Sequence, residues 1–477
     1  METAAAARRG CLNRRIFLAG MAGAAGLAAL GGGLTLAAPP ASGGSKTRIR
    51  LVFSHHHVDA AGKQSAPGWP YLGYDCEGRK RQLLEQLRAS CPDFEFLPTT
   101  AFSAEDGTKL LAADQEVDGY LAYMIGGWAT AGQAIARAGK PVIYVGDLYG
   151  ASGEILMAIS EARRLGLRAF GITSSRFQDV VDALRTFQAM KRLRSSTIVD
   201  VGAAPGDLGK AIADVFGTRV VAVGFPELNA AYAKADRGEA RKWADKWMRE
   251  AEKVGPSPAE IENSGAIYLA MRSLMDVHQA QAITINCLGG FYGGSMSAYP
   301  CLGHFQLNND GLVGACEADL QSTITMLAMG YLVGRPGYIS DPVVDTATSR
   351  VIYIHCVATN RVFGPKGPAN PYQILSHAED RKGAALRSIM PLGEPVTTLQ
   401  TAPTRREMII HQGKTSANVD DDRSCRTKLA VDLKGDVNKL LSQWDRWGWH
   451  RVTFFGDHRK AALQFATLTG LKLLEES

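Results

Sequence analysis

The sequence predicts an α/β fold with two consecutive parallel-sheet α/β domains followed by a mainly β C-terminal domain. Over residues 46–175, and again over 176–345, short apolar segments alternate with helical patterns, which is typical of parallel sheets covered on both faces. Over 346–477, short β-rich segments are separated by Gly and Pro, and no long helix is expected before 459–470. The length of 477 residues also exceeds what one core usually organises.

Both α/β domains are predicted from the same alternation of elements. In the first domain we expect a helix near 77–89 and strands at 49–53, 119–124, 141–145 and 169–173. In the second domain we expect helices at 230–253 and 265–281 and strands at 196–201, 219–223 and 282–287.

Residues 1–45 are predicted to be a targeting segment and linker. The pair Arg14-Arg15 precedes an uncharged stretch at 16–38 that is rich in Ala, Gly and Leu, and this resembles a twin-arginine export signal. The stretch is also long enough for a plain membrane anchor, which is the alternative. We therefore expect a protein exported to the bacterial periplasm, in contact with a membrane only through an uncleaved leader if at all.

The composition is that of a globular protein, with 46% apolar and 21% charged residues. The net charge of +6 falls by three when the four arginines and one glutamate of the leader are set aside. So small a charge on so long a chain indicates no nucleic-acid partner. The eight cysteines lack the regular spacing of a disulfide framework, so we expect buried free thiols.

Two carboxylates in the segment 284–345 are candidate metal ligands. Glu317 stands at the predicted head of an apolar helix that ends near Val333, where a carboxylate can also serve as a simple cap. Such a helix advances about 24 Å, and the eight residues to Asp341, predicted in the following turn, can return about 26 Å. Two carboxylates brought together repel unless a cation lies between them. Oxygen ligands favour a hard divalent ion such as Mn²⁺ or Mg²⁺.

The segments LNNDGLVGACEADL, GRPGYISDPVVDT and IYIHCVA resemble the L-fucose isomerase family, to which the L-arabinose isomerases are similar in architecture. The resemblance is clearest over 282–385 and extends from about residue 46 to the end. In that family, a Glu at a helix head and an Asp in the next turn bind Mn²⁺, and these match Glu317 and Asp341. The third family ligand is a C-terminal histidine, which His450 matches. The resemblance implies no organic cofactor and a homo-oligomer, either a hexamer or a trimer.

Two histidines near these motifs have more than one interpretation, and one further acid has a single expected role. His355 lies in an apolar predicted strand, where it can be a core group, a fourth metal ligand or a substrate contact. His377, in a polar segment, can lie on the surface or contact substrate. Asp319 is expected to point elsewhere on the helix than Glu317 and to matter much less.

The predicted function is that of a metal-dependent aldose–ketose isomerase that acts on a free sugar through a cis-enediol. By the resemblance, Glu317 and Asp341 hold the metal and move the proton between C2 and C1, and His450 completes the ligand set. One alternative is an exported sugar-binding protein, which the paired acids disfavour. Another is a different metal-dependent carbohydrate enzyme, such as an epimerase or lyase. Export favours this second alternative, because sugar isomerases ordinarily supply cytoplasmic metabolism.

Overall fold

A computed structural model describes residues 45–114, 117–127 and 130–477. The leader predicted at 1–45 lies outside the described residues except for Ser45. Within the described ranges, no helix is both long and apolar enough to span a bilayer. The predicted fold class is confirmed, because two parallel α/β sheets precede an antiparallel β structure. The division into domains stays a prediction.

The first sheet has five parallel strands in the order β2-β1-β3-β4-β5. Strands β3 and β4 are buried along their whole length, which explains their continuous apolar sequence. The elements are β1 (Thr47–Ser54), α1 (Cys76–Ser90), β2 (Phe94–Thr100), α2 (Ala104–Ala113), β3 (Gly119–Met124), α3 (Ala131–Arg137), β4 (Val142–Gly146), α4 (Ser152–Arg164) and β5 (Ala169–Thr173).

The second sheet has four parallel strands in the order β10-β9-β6-β7. The elements of this part of the chain are α5 (Gln178–Arg194), β6 (Thr197–Val201), α6 (Gly206–Phe216), β7 (Arg219–Val223), α7 (Phe225–Lys234), α8 (Arg237–Glu250), β8 (Lys253–Val254), α9 (Pro258–Val277), β9 (Ala282–Ile285), α10 (Cys287–Tyr292), α11 (Cys301–Asn309), β10 (Val313–Cys316) and α12 (Leu320–Val333). The single helix predicted over 230–253 is wrong. Asp236 caps a new helix there by accepting from the Gly238 and Glu239 N–H groups.

The C-terminal part is an antiparallel barrel. Strands β15, β18, β11, β12, β17 and β16 follow one another, and pairing of β15 with β16 closes the ring. The elements are β11 (Tyr338–Asp345), β12 (Arg350–His355), β13 (Tyr372–Leu375), β14 (Ala385–Ser388), β15 (Pro395–Ala402), β16 (Glu407–Asn418), β17 (Thr427–Lys434), α13 (Val437–Gln443), β18 (Arg451–Phe455), α14 (Arg459–Thr469) and β19 (Lys472–Glu475). The helix predicted at 459–470 is confirmed as α14.

The chain also has a small three-stranded sheet, in which β13 pairs with β14 and with β8. All seven described cysteines are free thiols, and six of them are buried, as expected.

The barrel and the second sheet meet where the candidate ligands lie. Strand β10 ends at Cys316, so Glu317 follows directly at the carboxyl edge of the second sheet. Asp341 lies within β11 opposite Ile354 of β12, and His355 is the last residue of β12. His450 immediately precedes β18, the other neighbour of β11. The expectation that Asp341 lies in a turn is wrong, because barrel pairing extends the chain there.

Candidate functional site

Four side chains form a compact group of possible metal ligands. One ligand atom from each of Glu317, Asp341, His355 and His450 lies within 4.8 Å of the others. Both histidines are buried and both carboxylates are partly exposed. The structure thus brings together the three predicted ligands and one of the two additional histidines, His355. His377 is outside this group.

Glu317 stands in a tight turn and does not begin the helix as predicted. Its φ is +64°, and that of Ala318 is +52°, a region that side-chain-bearing residues adopt at a cost in strain. The turn is held by the Ala318 N–H, which donates to the Ile285 carbonyl at 3.0 Å. Helix α12 begins at Leu320, and its cap is the Asp319 side chain. Capping therefore explains Asp319 and leaves Glu317 without that structural role.

Asp341 is an ionised acid that faces the centre of the group. Trp449 Nε1 donates to Asp341 Oδ1 at 2.5 Å. Burial raises the pKa of Asp341, but the hydrogen bond with His450 and the charge of His355 outweigh it, and the pKa falls to about 2. Burial likewise raises the pKa of Glu317, and the same two histidines bring it below its usual value. Both carboxylates are thus negatively charged at neutral pH.

His450 presents one ring nitrogen to both carboxylates. Its Nδ1 donates to Asp319 Oδ2 at 2.9 Å, because an ionised carboxylate can only accept. Its Nε2 lies 3.2 Å from Glu317 Oε2 and 3.3 Å from Asp341 Oδ1. Burial lowers the pKa of His450, but the three carboxylates outweigh it and raise the pKa well above its usual value. The expectation that Asp319 points elsewhere is therefore wrong, since it orients His450.

His355 differs from His450 in how its Nδ1 is used, as an acceptor and not as a donor. Its Nδ1 accepts a hydrogen bond from the Cys356 N–H at 2.9 Å, so the ring proton resides on Nε2. That Nε2 is buried without a hydrogen-bond partner and lies 3.8 Å from Glu317 Oε1. Burial lowers the pKa of His355, which keeps the ring neutral. This geometry favours a hydrogen-bond donor to substrate or Glu317 over a fourth metal ligand, which would need the Nε2 lone pair.

His377 is buried in the loop between β13 and β14, so the surface interpretation does not apply. Its Nδ1 lies 3.2 Å from Asp380 Oδ1, and the Tyr299 hydroxyl donates to the same carboxyl group. The rings of Phe291 and Tyr299 pack on the imidazole with centroids 5.5 and 5.6 Å away. These contacts hold the ring in one orientation.

The donor set fits a hard divalent cation. Two carboxylate oxygens and one imidazole nitrogen are the ligand types that Mn²⁺ and Mg²⁺ accept. His450 Nε2 is buried 3.2 and 3.3 Å from the two carboxylates, and loss of its proton would leave a lone pair directed at the point that both carboxylates share. Asp319 on the far side of His450 is the outer carboxylate that histidine ligands commonly have. Sequence reasoning missed this role because the two residues are 131 positions apart.

No family model matches the chain. Curated relatives include the sulfoquinovose isomerase of Alkalicoccus urumqiensis, which is 24% identical over 306 residues, or 61% of this chain and 67% of the relative. The sulfoquinovose isomerase of Clostridium sp. (strain MSTE9) is 23% identical over 310 residues, or 61% of this chain and 66% of the relative. That of Priestia aryabhattai is 23% identical over 202 residues, or 41% and 44%. The matches span at most about two thirds of the relatives' length. At this low identity they indicate a relationship to sugar isomerases, as predicted, and not to L-fucose isomerase in particular.

Proposed function

We propose that this protein is an aldose–ketose isomerase that acts on a free sugar and depends on a divalent cation, with Mn²⁺ preferred to Mg²⁺. The observation that carries the proposal is the convergence of Glu317, Asp341 and His450 Nε2 on one point at the junction of sheet and barrel. The similarity to sulfoquinovose isomerases supports the reaction class.

The chemistry of the chain's own residues suits this reaction. A bound divalent cation would polarise the sugar carbonyl and so acidify the neighbouring C–H. Glu317 and Asp341 are ionised at neutral pH, so a carboxylate oxygen can take the proton from C2 and return it at C1 through a cis-enediol. The Nε2–H of His355 can donate to a sugar oxygen from inside the group. His450 remains a ligand because its Nδ1 proton is held by Asp319.

The substrate is proposed to be a free aldose, and sulfoquinovose is the first to test because the relatives bear its name. The resemblance to L-fucose isomerases adds L-fucose and L-arabinose to the panel. Each sugar is incubated with metal-stripped protein, with and without Mn²⁺, and the products are identified by NMR. Elemental analysis of the purified protein measures the bound metal.

The expected result is about one divalent ion per chain and a ketose formed from at least one aldose only when Mn²⁺ is present. The control is Asp341→Asn, which keeps the shape of the side chain and removes its charge. Protein that carries no metal and gains none from Mn²⁺ would overturn the proposal. Binding of metal and sugar without turnover would indicate the sugar-binding alternative.

We further propose that the protein is exported and forms a homo-oligomer. The pair Arg14-Arg15 supports the first proposal. The resemblance supports the second, as do large aromatic side chains left exposed in the first α/β part of the chain. Trp69 is 58% exposed and Tyr149 is 85% exposed. Sedimentation of the purified protein tests the oligomeric state.

A further inference from the structure

Conversion of an aldose to a ketose moves two hydrogens. One passes from C2 to C1, and the other passes from the hydroxyl on C2 to the oxygen on C1. The proposed function assigns the carbon-bound hydrogen to the carboxylates Glu317 and Asp341. The oxygen-bound proton needs a second carrier, one that can accept and donate near neutral pH, and histidine is the side chain best suited to this.

Neither histidine of the ligand group can carry that proton. His450 directs Nε2 at the point shared by the two carboxylates, and its Nδ1 is bonded to Asp319. His355 uses the Nδ1 lone pair to accept from the Cys356 N–H, so its Nε2 carries hydrogen and has no lone pair to offer. Neither ring therefore has a nitrogen that is free to accept the hydroxyl proton.

His377 has the features that the other two lack. Its Nδ1 bonds to Asp380, which fixes hydrogen on Nδ1 and leaves the lone pair of Nε2 free to accept. Among the described residues, no hydrogen bond to its Nε2 is formed. The Tyr299 hydroxyl bonds to Asp380 from the other side, so the carboxylate is held by both partners. This arrangement of Tyr299, Asp380 and His377 is that of a histidine oriented as a general base.

Packing places His377 beside the ligand group. The ring of Phe291 in α10 packs on it, and α10 begins at Cys287, whose Sγ lies 3.0 Å from that of Cys316, the residue before Glu317.

The surroundings of His377 also keep it neutral. Burial lowers the pKa of His377, while the charge of Asp380 and the more distant charge of Glu317 raise it. Arg426, which donates to the Ser376 carbonyl at 2.7 Å, opposes them. A neutral ring beside the site is able to accept a proton first and return it afterwards.

We infer that His377, oriented by Asp380 and Tyr299, is the catalytic residue that carries the hydroxyl proton between the two sugar oxygens. His377 Nε2 takes the proton from O2 as the hydroxyl on C2 becomes a carbonyl. The imidazolium returns that proton to O1 as the carbonyl at C1 becomes a hydroxyl group. Meanwhile the carboxylate moves the hydrogen from C2 to C1. No oxidant or reductant is needed. The inference rests on the proposed isomerase function.

The test separates the two proton transfers by NMR in D₂O. His377→Gln can still bond to Asp380 but cannot take up a proton. Isomerisation by this variant should fall at least about a hundredfold. Exchange of the aldose C2 hydrogen with deuterium needs only the carboxylates, so the ratio of exchange to isomerisation should rise at least about tenfold. Mn²⁺ stoichiometry should equal that of the wild type, since His377 is outside the ligand group.

Asp380→Asn provides a second test, which does not depend on whether His377→Gln folds. The carboxylate of Asp380 raises the pKa of His377. Removing that charge lowers the pKa of His377, so the acidic limb of the pH–rate profile should move to lower pH.

The matched control for His377→Gln is His278→Gln. His278 also faces a carboxylate, that of Glu227 at 3.5 Å. It lies before β9, at the opposite edge of the sheet from the ligand group. This control variant should leave both rates unchanged.

The inference is overturned if folded His377→Gln isomerises the sugar as fast as the wild type. It is also overturned if exchange and isomerisation fall by the same factor, or if the acidic limb does not move in Asp380→Asn. A wild-type protein that binds Mn²⁺ but neither exchanges nor isomerises any aldose would remove the proposed function, and this inference with it. Exchange and isomerisation by the wild-type protein therefore distinguish failure of the proposed function from failure of this inference.

Discussion

Asp319 offers the sharpest test of how the site is held, because one substitution separates capping from ligand orientation. Its Oδ1 accepts the Ser322 N–H at 2.9 Å, which caps α12, and its Oδ2 accepts from His450 Nδ1 at 2.9 Å. Asn is as good a cap as Asp. In Asp319→Asn the amide oxygen can keep the cap, and the NH₂ group then faces His450.

The expected effect works through the tautomer of His450. An amide NH₂ donates, so Nδ1 of the neutral ring must accept, and the one remaining ring proton then lies on Nε2, where the cation would bind. Loss of such an outer carboxylate typically weakens metal binding 10- to 100-fold, which is about 1.4 to 2.7 kcal/mol. The free energy of unfolding of the metal-free protein should change by less than about 1 kcal/mol from capping, because the cap is kept.

The assay is a titration with Mn²⁺ in which the free ion is followed by electron paramagnetic resonance. The matched control is Asp436→Asn, since Asp436 caps α13 by accepting the Asn438 N–H at 2.9 Å. That variant should bind Mn²⁺ as the wild type does. If folded Asp319→Asn also binds Mn²⁺ with wild-type affinity, Asp319 is a helix cap alone and the ligand role of His450 loses its support.

Three other outcomes are expected. Glu317→Gln and Asp341→Asn should each lower turnover about 10²- to 10⁴-fold, with the double variant little worse because the two act together; near-normal turnover in either folded variant contradicts the site. Since the pKa of His450 is raised well above its usual value in the metal-free protein, Mn²⁺ binding should release about one proton and tighten as pH rises towards that pKa. Calorimetry in buffers of different ionisation enthalpy measures this, and binding without proton release would argue against His450 as ligand. Replacing Arg14 and Arg15 by Lys should leave the precursor in the cytoplasm, and unchanged export in cell fractionation would exclude the twin-arginine route.

Local sequence patterns determined the order and type of most elements. Buried parallel strands must be continuously apolar, as Gly119–Met124 is, and this pattern is visible without any tertiary information. The helix Arg459–Thr469 was also predicted from its own sequence. The break between α7 and α8 was missed, although Asp236 is a typical capping residue, because the flanking segments share one helical pattern.

Part of the site could likewise be predicted from the sequence. Glu317 and Asp341 are only 24 positions apart, so chain length alone allowed them to meet. His450 came from the resemblance to a known family. Its distance from the carboxylates depends on the register of β11 with β18, in which Ser340 pairs with Arg451. No local pattern specifies that register.

Only the tertiary structure decided what each histidine can do. The tautomers of His450 and His355 depend on partners that bond to Nδ1, a carboxylate in one case and a backbone N–H in the other. Burial of His377 depends on two aromatic rings that lie far away in the chain. The sequence determined which chemical groups are present and which segments become strands or helices, because those properties follow from neighbouring side chains. Proton positions and ligand geometry follow from contacts between distant segments, so they required the folded structure.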